Sequence, residues 1–457
     1  MWVDVAVLGG ISIALIAYAG ALLRLAGMRR LDLVGWFWIG VGTFHGLGFA
    51  YAVWATSEGW NDPFWAQWLL RYSEFTWIYV GGIAILLLAV WMGAAIAAGL
   101  LRPFRRVQAA GPNLTPRVRA RLHSFAWSLL ALAILSYWIY ARAYGGFARL
   151  LDVGPLIRTA RFELLPVNPW SWLGRLASLA FFATFIFLGM AVLRRERSFK
   201  DRVVNGVGFC LSLTFSLFVL VTWVGRGDLV VYVTALVMGY GLYRFGMGVS
   251  GTLRAGVLGV VLFATLLLGA GTWLGRVPRE TPVTNLLAIE VSARIVPFFV
   301  QADLGEFRWM KDLVVAPLYL LPGKVWSGVL GLDTASDQNT EAIMGARKGQ
   351  EGVTGQIPVG IAAFSVMQAG VIGIGLIGLA WGALLCWLDR WCRGKLPPGI
   401  REIVYAAVIL RVAIGSIIGG DPQLLIYNNI HLVVGLPLLN LLLRGRVSQE
   451  DRCYGYQ

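Results

Sequence analysis

Apolar residues run through this chain in blocks of about 20, the length an α-helix needs to cross the hydrocarbon core of a bilayer. The blocks predict helices over 5–25, 33–55, 77–101, 125–145, 172–193, 203–223, 229–243, 255–274, 357–388, 402–419 and 424–443. The block at 357–388 is long for one crossing, and its glycine-rich middle predicts a break into an interfacial piece and a crossing helix. The expected fold is all-α, a polytopic membrane bundle of about eleven transmembrane helices, with residues 1–457 forming one integral membrane domain. One segment, 275–356, breaks the rhythm. It is too long for a plain connector and too apolar for a disordered one. Amphipathic stretches at 284–296, ended by Pro297, and at 309–321, interrupted by Pro317, predict helices lying on the membrane surface or dipping into it. Residues 338–356, rich in Gly, Gln, Asn and charge, read as a mobile surface flap.

Composition agrees: of 457 residues 58% are hydrophobic and 14% charged. The 39 Lys and Arg against 24 Asp and Glu mark cytoplasmic loops and anionic headgroups, since no nucleic-acid module is visible. Basic clusters at Arg29/Arg30, 102–121, 194–202, 390–395 and Arg444/Arg446 all fall on one side, which the positive-inside rule makes cytoplasmic. An odd helix number then puts the N-terminus in the periplasm, the C-terminus in the cytoplasm, and 275–356 on the periplasmic face. The first apolar block lacks a basic leader and reads as a helix, not a cleaved signal. Four cysteines without ligand spacing and three histidines give no expected metal site, and no cofactor is expected.

The chemistry-bearing candidates are charges placed against the membrane's cost. Arg411 lies near the middle of 402–419, where a bare cation costs a few kcal/mol, so it is expected to meet an anion, a carboxylate such as Asp421 or a bound phosphate, with a structural pair or snorkelling as the plainer reading. Arg226 sits on a glycine-flanked turn that brings backbone N–H groups and a guanidinium close to one anion, with interfacial snorkelling as the plainer reading. Glu290 and Arg294 are four apart on a predicted helix, as are Arg308 and Asp312. Each is either a surface ion pair or, for Arg294, a cation held by Glu290 to fork onto a phosphate. Asp421 either caps its turn or orients Arg411. Arg142 and Arg175, near helix ends, are expected to snorkel, and His45 and His431 to be hydrogen-bonded inside the bundle.

Over 217–434 the chain resembles the Wzy-type oligosaccharide repeat-unit polymerases of O-antigen and enterobacterial common antigen. The likeness rests on four blocks in order: Val224-Gly-Arg-Gly-Asp-Leu-Val-Val231, Ala288-Ile-Glu-Val-Ser-Ala-Arg-Ile-Val-Pro297, Ala316-Pro-Leu-Tyr-Leu-Leu-Pro-Gly-Lys324, and Thr354-Gly-Gln-Ile-Pro-Val-Gly360 leading to Trp387-Leu-Asp-Arg390. Where such polymerases often carry an Arg-Glu-Gly-like turn, this chain has Gly419-Gly-Asp-Pro422. The resemblance implies a GT-C-like, metal-independent glycosyltransferase of the bacterial inner membrane. It would move a growing glycan from undecaprenyl pyrophosphate to a hydroxyl of an incoming lipid-linked repeat. Its partners would be lipid-linked glycans, membrane lipids, a chain-length regulator and a flippase. The resemblance extends to the arginines only at Arg226 and Arg294; with Arg411, added from its own placement in an apolar block, they would stabilise the departing pyrophosphate in one shared cavity, and Arg308, Lys324, Arg347 and Lys348 would hold substrate. The proton acceptor stays open among Glu290, Asp303 and Asp421. The rivals are an O-antigen ligase, which usually needs a loop histidine absent here, a glycosyltransferase using Glu58 or Asp62 of the first outer loop, and a lipid or polysaccharide transporter, against which the lack of internal repeats counts.

Overall fold

The computed structural model describes residues 2–100, 116–159, 164–193, 199–273 and 283–444. The expected basic clusters at 102–106 and 194–197, and Arg446, lie outside them. The described residues form α1 Trp2–Met28, α2 Leu33–Val41, α3 Gly48–Ser57, α4 Pro63–Arg71, α5 Thr76–Leu100, α6 Pro116–Arg142, α7 Phe147–Arg158, α8 Leu173–Leu176, α9 Leu179–Val192 and α10 Phe199–Thr222. There follow α11 Arg226–Phe245, α12 Val249–Trp273, α13 Val283–Leu304, α14 Lys311–Val315, α15 Ala335–Met344, α16 Ile361–Lys395, α17 Ile400–Val408, α18 Gly415–Ile418, α19 Pro422–Asn428 and α20 Ile430–Arg444. Nine helical stretches among the described residues are long and apolar enough to cross a membrane, or ten if the bent pair α19–α20 counts as one. The protein is a multi-pass, all-helical membrane protein in its described parts.

The chain divides into two compact units. Unit 1 comprises 1–102, 246–389 and 409–425, and unit 2 comprises 103–245, 390–408 and 426–457. In unit 1, α2 starts where Asp32 accepts from the Gly35 N–H at 2.9 Å, satisfying one orphan donor of its first turn. Arg24 pairs with the same carboxylate. Between α2 and α3 the chain widens into a π-turn, Gly42–Leu47, and His45 on it shares a 2.7 Å hydrogen bond with the Tyr79 hydroxyl, as expected for a histidine inside the bundle. α5 packs on the long part of α16 through small residues: a Cβ on Gly93 would stand 2.0 Å from the Leu379 carbonyl, and one on Gly382 2.0 Å from that of Val90. Backbones approach this closely only where side chains are absent. In unit 2, α9 is nearly all buried and α11 packs on α17, where Gly239 leaves room for the Ile403 backbone. His431 meets the rings of Phe181 and Phe185.

The predicted break in the long block is present. Ala369 (φ −162°, ψ 38°) and Gly370 (φ 59°, ψ −140°) leave the helix, and a Cβ at Gly373 would lie 2.1 Å from the Ser365 carbonyl, so the pieces 361–368 and 371–395 fold against each other. Gly370 adopts a backbone region open to glycine alone at low cost.

Two expectations for 275–356 are overturned. Helix α13 does not stop at Pro297 but continues to Leu304. A proline inside a helix costs about 3 kcal/mol, whereas burying two phenylalanines gains roughly 1.5–3 kcal/mol each. Phe298 and Phe299 are both buried, Phe298 edge-on to the Tyr79 ring and Phe299 tilted against it, and Phe299 also meets Phe49 and Tyr72. The flap expected at 338–356 is helical over its first part. α15 is capped by Thr334, which accepts from the Asp337 N–H while donating to the Asp337 carboxylate, and it ends at left-handed Gly345.

Helix α13 is long and apolar enough to cross a membrane, and it contacts α3, α4 and the connection that leads to α5. The Thr284 carbonyl accepts from Tyr51, Val291 lies against Gly48, Ser292 accepts from Asn61, and Asp303 accepts from Tyr72. All these partners lie in the α3–α5 connection or within about 14 Å of it at 1.5 Å per residue, half a bilayer core or less. α13 therefore runs beside the 58–75 connection along much of its length.

Candidate functional site

The polar residues of unit 1 gather on the segment that follows α13. Trp309 and Met310 take left-handed backbone, turning the chain so that the N–H groups of Arg308 and Trp309 each donate at 2.9 Å to the carbonyls of Met367 and Gln368. Those carbonyls are orphans of the helix end at the Ala369 break. The same turn brings Arg308 over Asp312: Nε and Nη2 donate to its two oxygens at 2.5 and 2.8 Å, while Nη1 and Nη2 reach the Asp333 carboxylate at 3.4 and 3.5 Å and Nη2 its carbonyl at 3.0 Å. The pair was expected on a helix surface. It is instead on a turn and enclosed, with Asp312 wholly buried and Arg308 at 7% exposure. Gln368 Nε2 donates to Asp312 at 2.7 Å and the Tyr319 hydroxyl at 3.4 Å. Burial pushes the Tyr319 phenol up, and the carboxylates of Asp312 and Asp421 add to it. Burial also works on Asp333, but the Arg308 guanidinium outweighs it and holds that carboxyl below the usual range.

Beside this cluster the buried face of α15 is polar. Ser336, Asn339 and Thr340 are fully buried and hydrogen-bond to the backbone of residues 357–359. Thr340 accepts from the Ile357 N–H, Asn339 donates to the Ile357 carbonyl, and Ser336 accepts from the Val359 N–H, while Gln301 of α13 donates to Asn339. Asp421 closes the knot. It is fully buried and accepts from the backbone N–H groups of Ser336 at 3.0 Å and Gln423 at 2.8 Å. Burial raises its pKa to about 6 despite those two donors. The turn that holds it is tight: Gly420 donates to the Val359 carbonyl, and a Cβ there would meet the Ile361 backbone at 2.4 Å.

The remaining predicted site residues are placed as follows. Arg294 pairs with Glu290 at 3.3 Å; its side chain is 18% exposed and that of Glu290 60%. Arg294 stands eleven residues after Val283 and ten before Leu304, midway along α13. Arg411 is half-buried on a second π-turn, Ile409–Ile414, which packs against α2. Asp421 spends both carboxylate oxygens on backbone donors, so of the two roles weighed for it the cap is the one seen. Arg308 spends its guanidinium on Asp312 and Asp333, which leaves no open fork for a phosphate and argues for a structural part. Lys324 is exposed at the start of a third π-turn, and Arg347 pairs with Glu341 at 2.7 Å in the open. Lys348 is half-buried. Arg226 opens α11 in unit 2, and its side chain lies outside the described residues. Glu58 is exposed and Asp62 N-caps α4.

Arg142 and Arg175 do more than snorkel: the first lies over Trp138 at 5.0 Å, the second over Tyr427 at 5.0 Å and Trp223 at 5.8 Å. No group of three or more His, Cys, Asp or Glu able to hold a metal ion occurs among the described residues. The sequence analysis does not single out Asp333, Ser336 and Asn339, whose only signal is the mostly polar run 333–340 with no apolar face for its helix, or Gln368, a lone amide inside the apolar block 357–388. No family model matches the chain, and neither a curated protein nor a solved structure matches it.

Proposed function

We propose that the protein is an inner-membrane glycosyltransferase that polymerises undecaprenyl-pyrophosphate-linked repeat units on the periplasmic face, in a GT-C-like bundle of eleven crossings with the N-terminus outside and the C-terminus inside. One observation carries this reading: in unit 1, Arg294 stands midway along α13 beside the exposed carboxylate of Glu290, and Arg411 lies on the π-turn Ile409–Ile414, two guanidinium groups that can take an anionic substrate group in addition to the partners they have. A pyrophosphate leaving group at the headgroup level is such an anion. In the reaction the acceptor hydroxyl oxygen bonds to the donor sugar's anomeric carbon, the bond from that carbon to the pyrophosphate breaks, and the electron pair leaves with the lipid pyrophosphate, whose growing charge the arginines stabilise. The hydroxyl proton passes to a carboxylate. Glu290 is open to an incoming hydroxyl, whereas Asp421 spends both oxygens on backbone donors.

The test is in proteoliposomes loaded with lipid-linked repeat units, reading glycan length and released undecaprenyl pyrophosphate. Arg294→Ala and Arg411→Ala should each slow elongation by on the order of a hundredfold, with Lys restoring part of the rate because an ammonium lacks the bidentate fork. Elongation at the normal rate by both alanine variants would remove these arginines from the chemistry. A second reading, a transporter for a lipid-linked or glycan substrate, is favoured by the broken helices at Ala369–Gly370 and at the Arg411 π-turn, since transporters bind their cargo at such breaks. Movement of labelled lipid-linked substrate across the same vesicles without elongation would select it.

A further inference from the structure

In unit 2, Arg175 is the third residue of a stretch, Leu173–Val192, long and apolar enough to cross a membrane, which puts it at headgroup level. Its guanidinium lies over two rings from separate elements, Trp223 in the turn after α10 and Tyr427 in α19. Rings occupy a guanidinium's faces and leave its in-plane N–H fork outward. Among the described residues no side-chain or backbone acceptor takes those N–H groups, and the side chain is exposed. Among the described residues, the charged and titratable groups that act on it most include Asp228, Tyr427 and Tyr140, and, as a second cation, Arg158, itself exposed at the end of α7. A snorkelling arginine wanders through rotamers. Contact with two aromatic rings restricts this one, ordering it for a partner with two oxygens.

We infer that Arg175, seated on Trp223 and Tyr427, binds the phosphate of a lipid headgroup or a free oligophosphate. The assignment rests on the reading above only in taking the phosphate as that of a prenyl diphosphate donor. Full-length protein purified in a phosphate-free maltoside detergent is titrated with farnesyl diphosphate by calorimetry. Arg175→Gln should weaken binding about ten- to hundredfold, the worth of hydrogen bonds to a charged group. Arg175→Lys, which keeps the charge but not the fork, should fall between. Tyr427→Leu, which keeps the charge but removes a support, should weaken binding severalfold. Arg142→Gln, at a one-ring arginine, should leave it unchanged. Competition by inorganic pyrophosphate assigns recognition to the phosphates alone, and its failure to compete assigns it to phosphate and prenyl chain together. Either result supports the site. Unaltered binding by Arg175→Gln, or an equal loss in Arg142→Gln, would overturn it. Should Arg175→Gln bind normally while elongation still depends on Arg294 and Arg411, this inference fails and the polymerase reading stands. Diphosphate bound through Arg175 without any elongation would leave the site and sink the polymerase.

Discussion

Without the Arg308 guanidinium, Asp312 becomes an unpaired carboxylate with no exposed surface. Breaking a buried pair from one side costs roughly 3–5 kcal/mol, while replacing both partners by apolar residues is often near neutral. Arg308→Ala should therefore lower the melting temperature of the detergent-solubilised protein by several degrees. Arg308→Met combined with Asp312→Leu should lower it less, and a double variant as unstable as Arg308→Ala would show that the pair does more than satisfy itself. Asp421 makes a pH-dependent prediction. Its value is raised from 3.8 to about 6, so the folded protein holds the proton more tightly than the unfolded chain. Its contribution to stability is then full below about pH 4 and is lost as pH rises through 6, on the order of 3 kcal/mol across that window. Asp421→Asn should remove this slope from melting temperatures measured between pH 4 and 7, and an unchanged slope would place the titrating group elsewhere. In the sequence the spacing of Arg308 and Asp312 was plain, but burial was not. A turn with left-handed Trp309 and Met310 presents the same four-residue interval as a helix, and no local pattern distinguishes them.

At the scale of elements, the apolar blocks were legible because a span announces itself by length, and the break in α16 because Gly370 has to supply an unusual backbone. Helix α15 was not. Its buried face is Ser336, Asn339 and Thr340, so the usual apolar stripe is missing; the burial is repaid by hydrogen bonds to the strand-like segment 357–359. Polar residues there read as a surface flap unless the partner segment is known. Helix α13 misled in the other direction, since its composition suits a span while its contacts follow the 58–75 connection. The contact of α5 with α16 supplies a sharp test. Gly382→Val would drive its side chain into the Val90 carbonyl, whereas Gly375, with nothing within 4 Å, should accept Val at little cost. Overpacking of this kind costs about 1–3 kcal/mol or more. Folded yield in membranes should drop for the first variant and hold for the second, and equal yields would mean that α5 and α16 are not packed backbone to backbone.

For the whole molecule, the decisive quantity is sidedness. Basic residues Arg29, Arg30, Arg390, Arg393 and Lys395 flank helices at ends that the positive-inside rule assigns to the cytoplasm, and anionic headgroups there favour the same placement. The contacts of α13 with Tyr51, Asn61 and Tyr72 tie its ends to residues 58–75 and the last turns of α3, and α2–α3, long and apolar enough for a single crossing, would separate residues 58–75 from Arg29 and Arg30. Two independent lines, loop charge and helix contacts, thus predict that 58–75 and 305–360 share one face, opposite Arg29 and Lys395. In a chain whose four cysteines have been replaced, single cysteines at Gly59, Gly331 and Gly349 should react in intact cells with a membrane-impermeant maleimide. Cysteines at Gly27 and Lys395 should react only after the membrane is opened. Labelling of Gly331 only after opening would mean that α13 crosses the bilayer after all. The polar knot around Asp312 and Asp421 would then face the cytoplasm, where no periplasmic glycan could reach it.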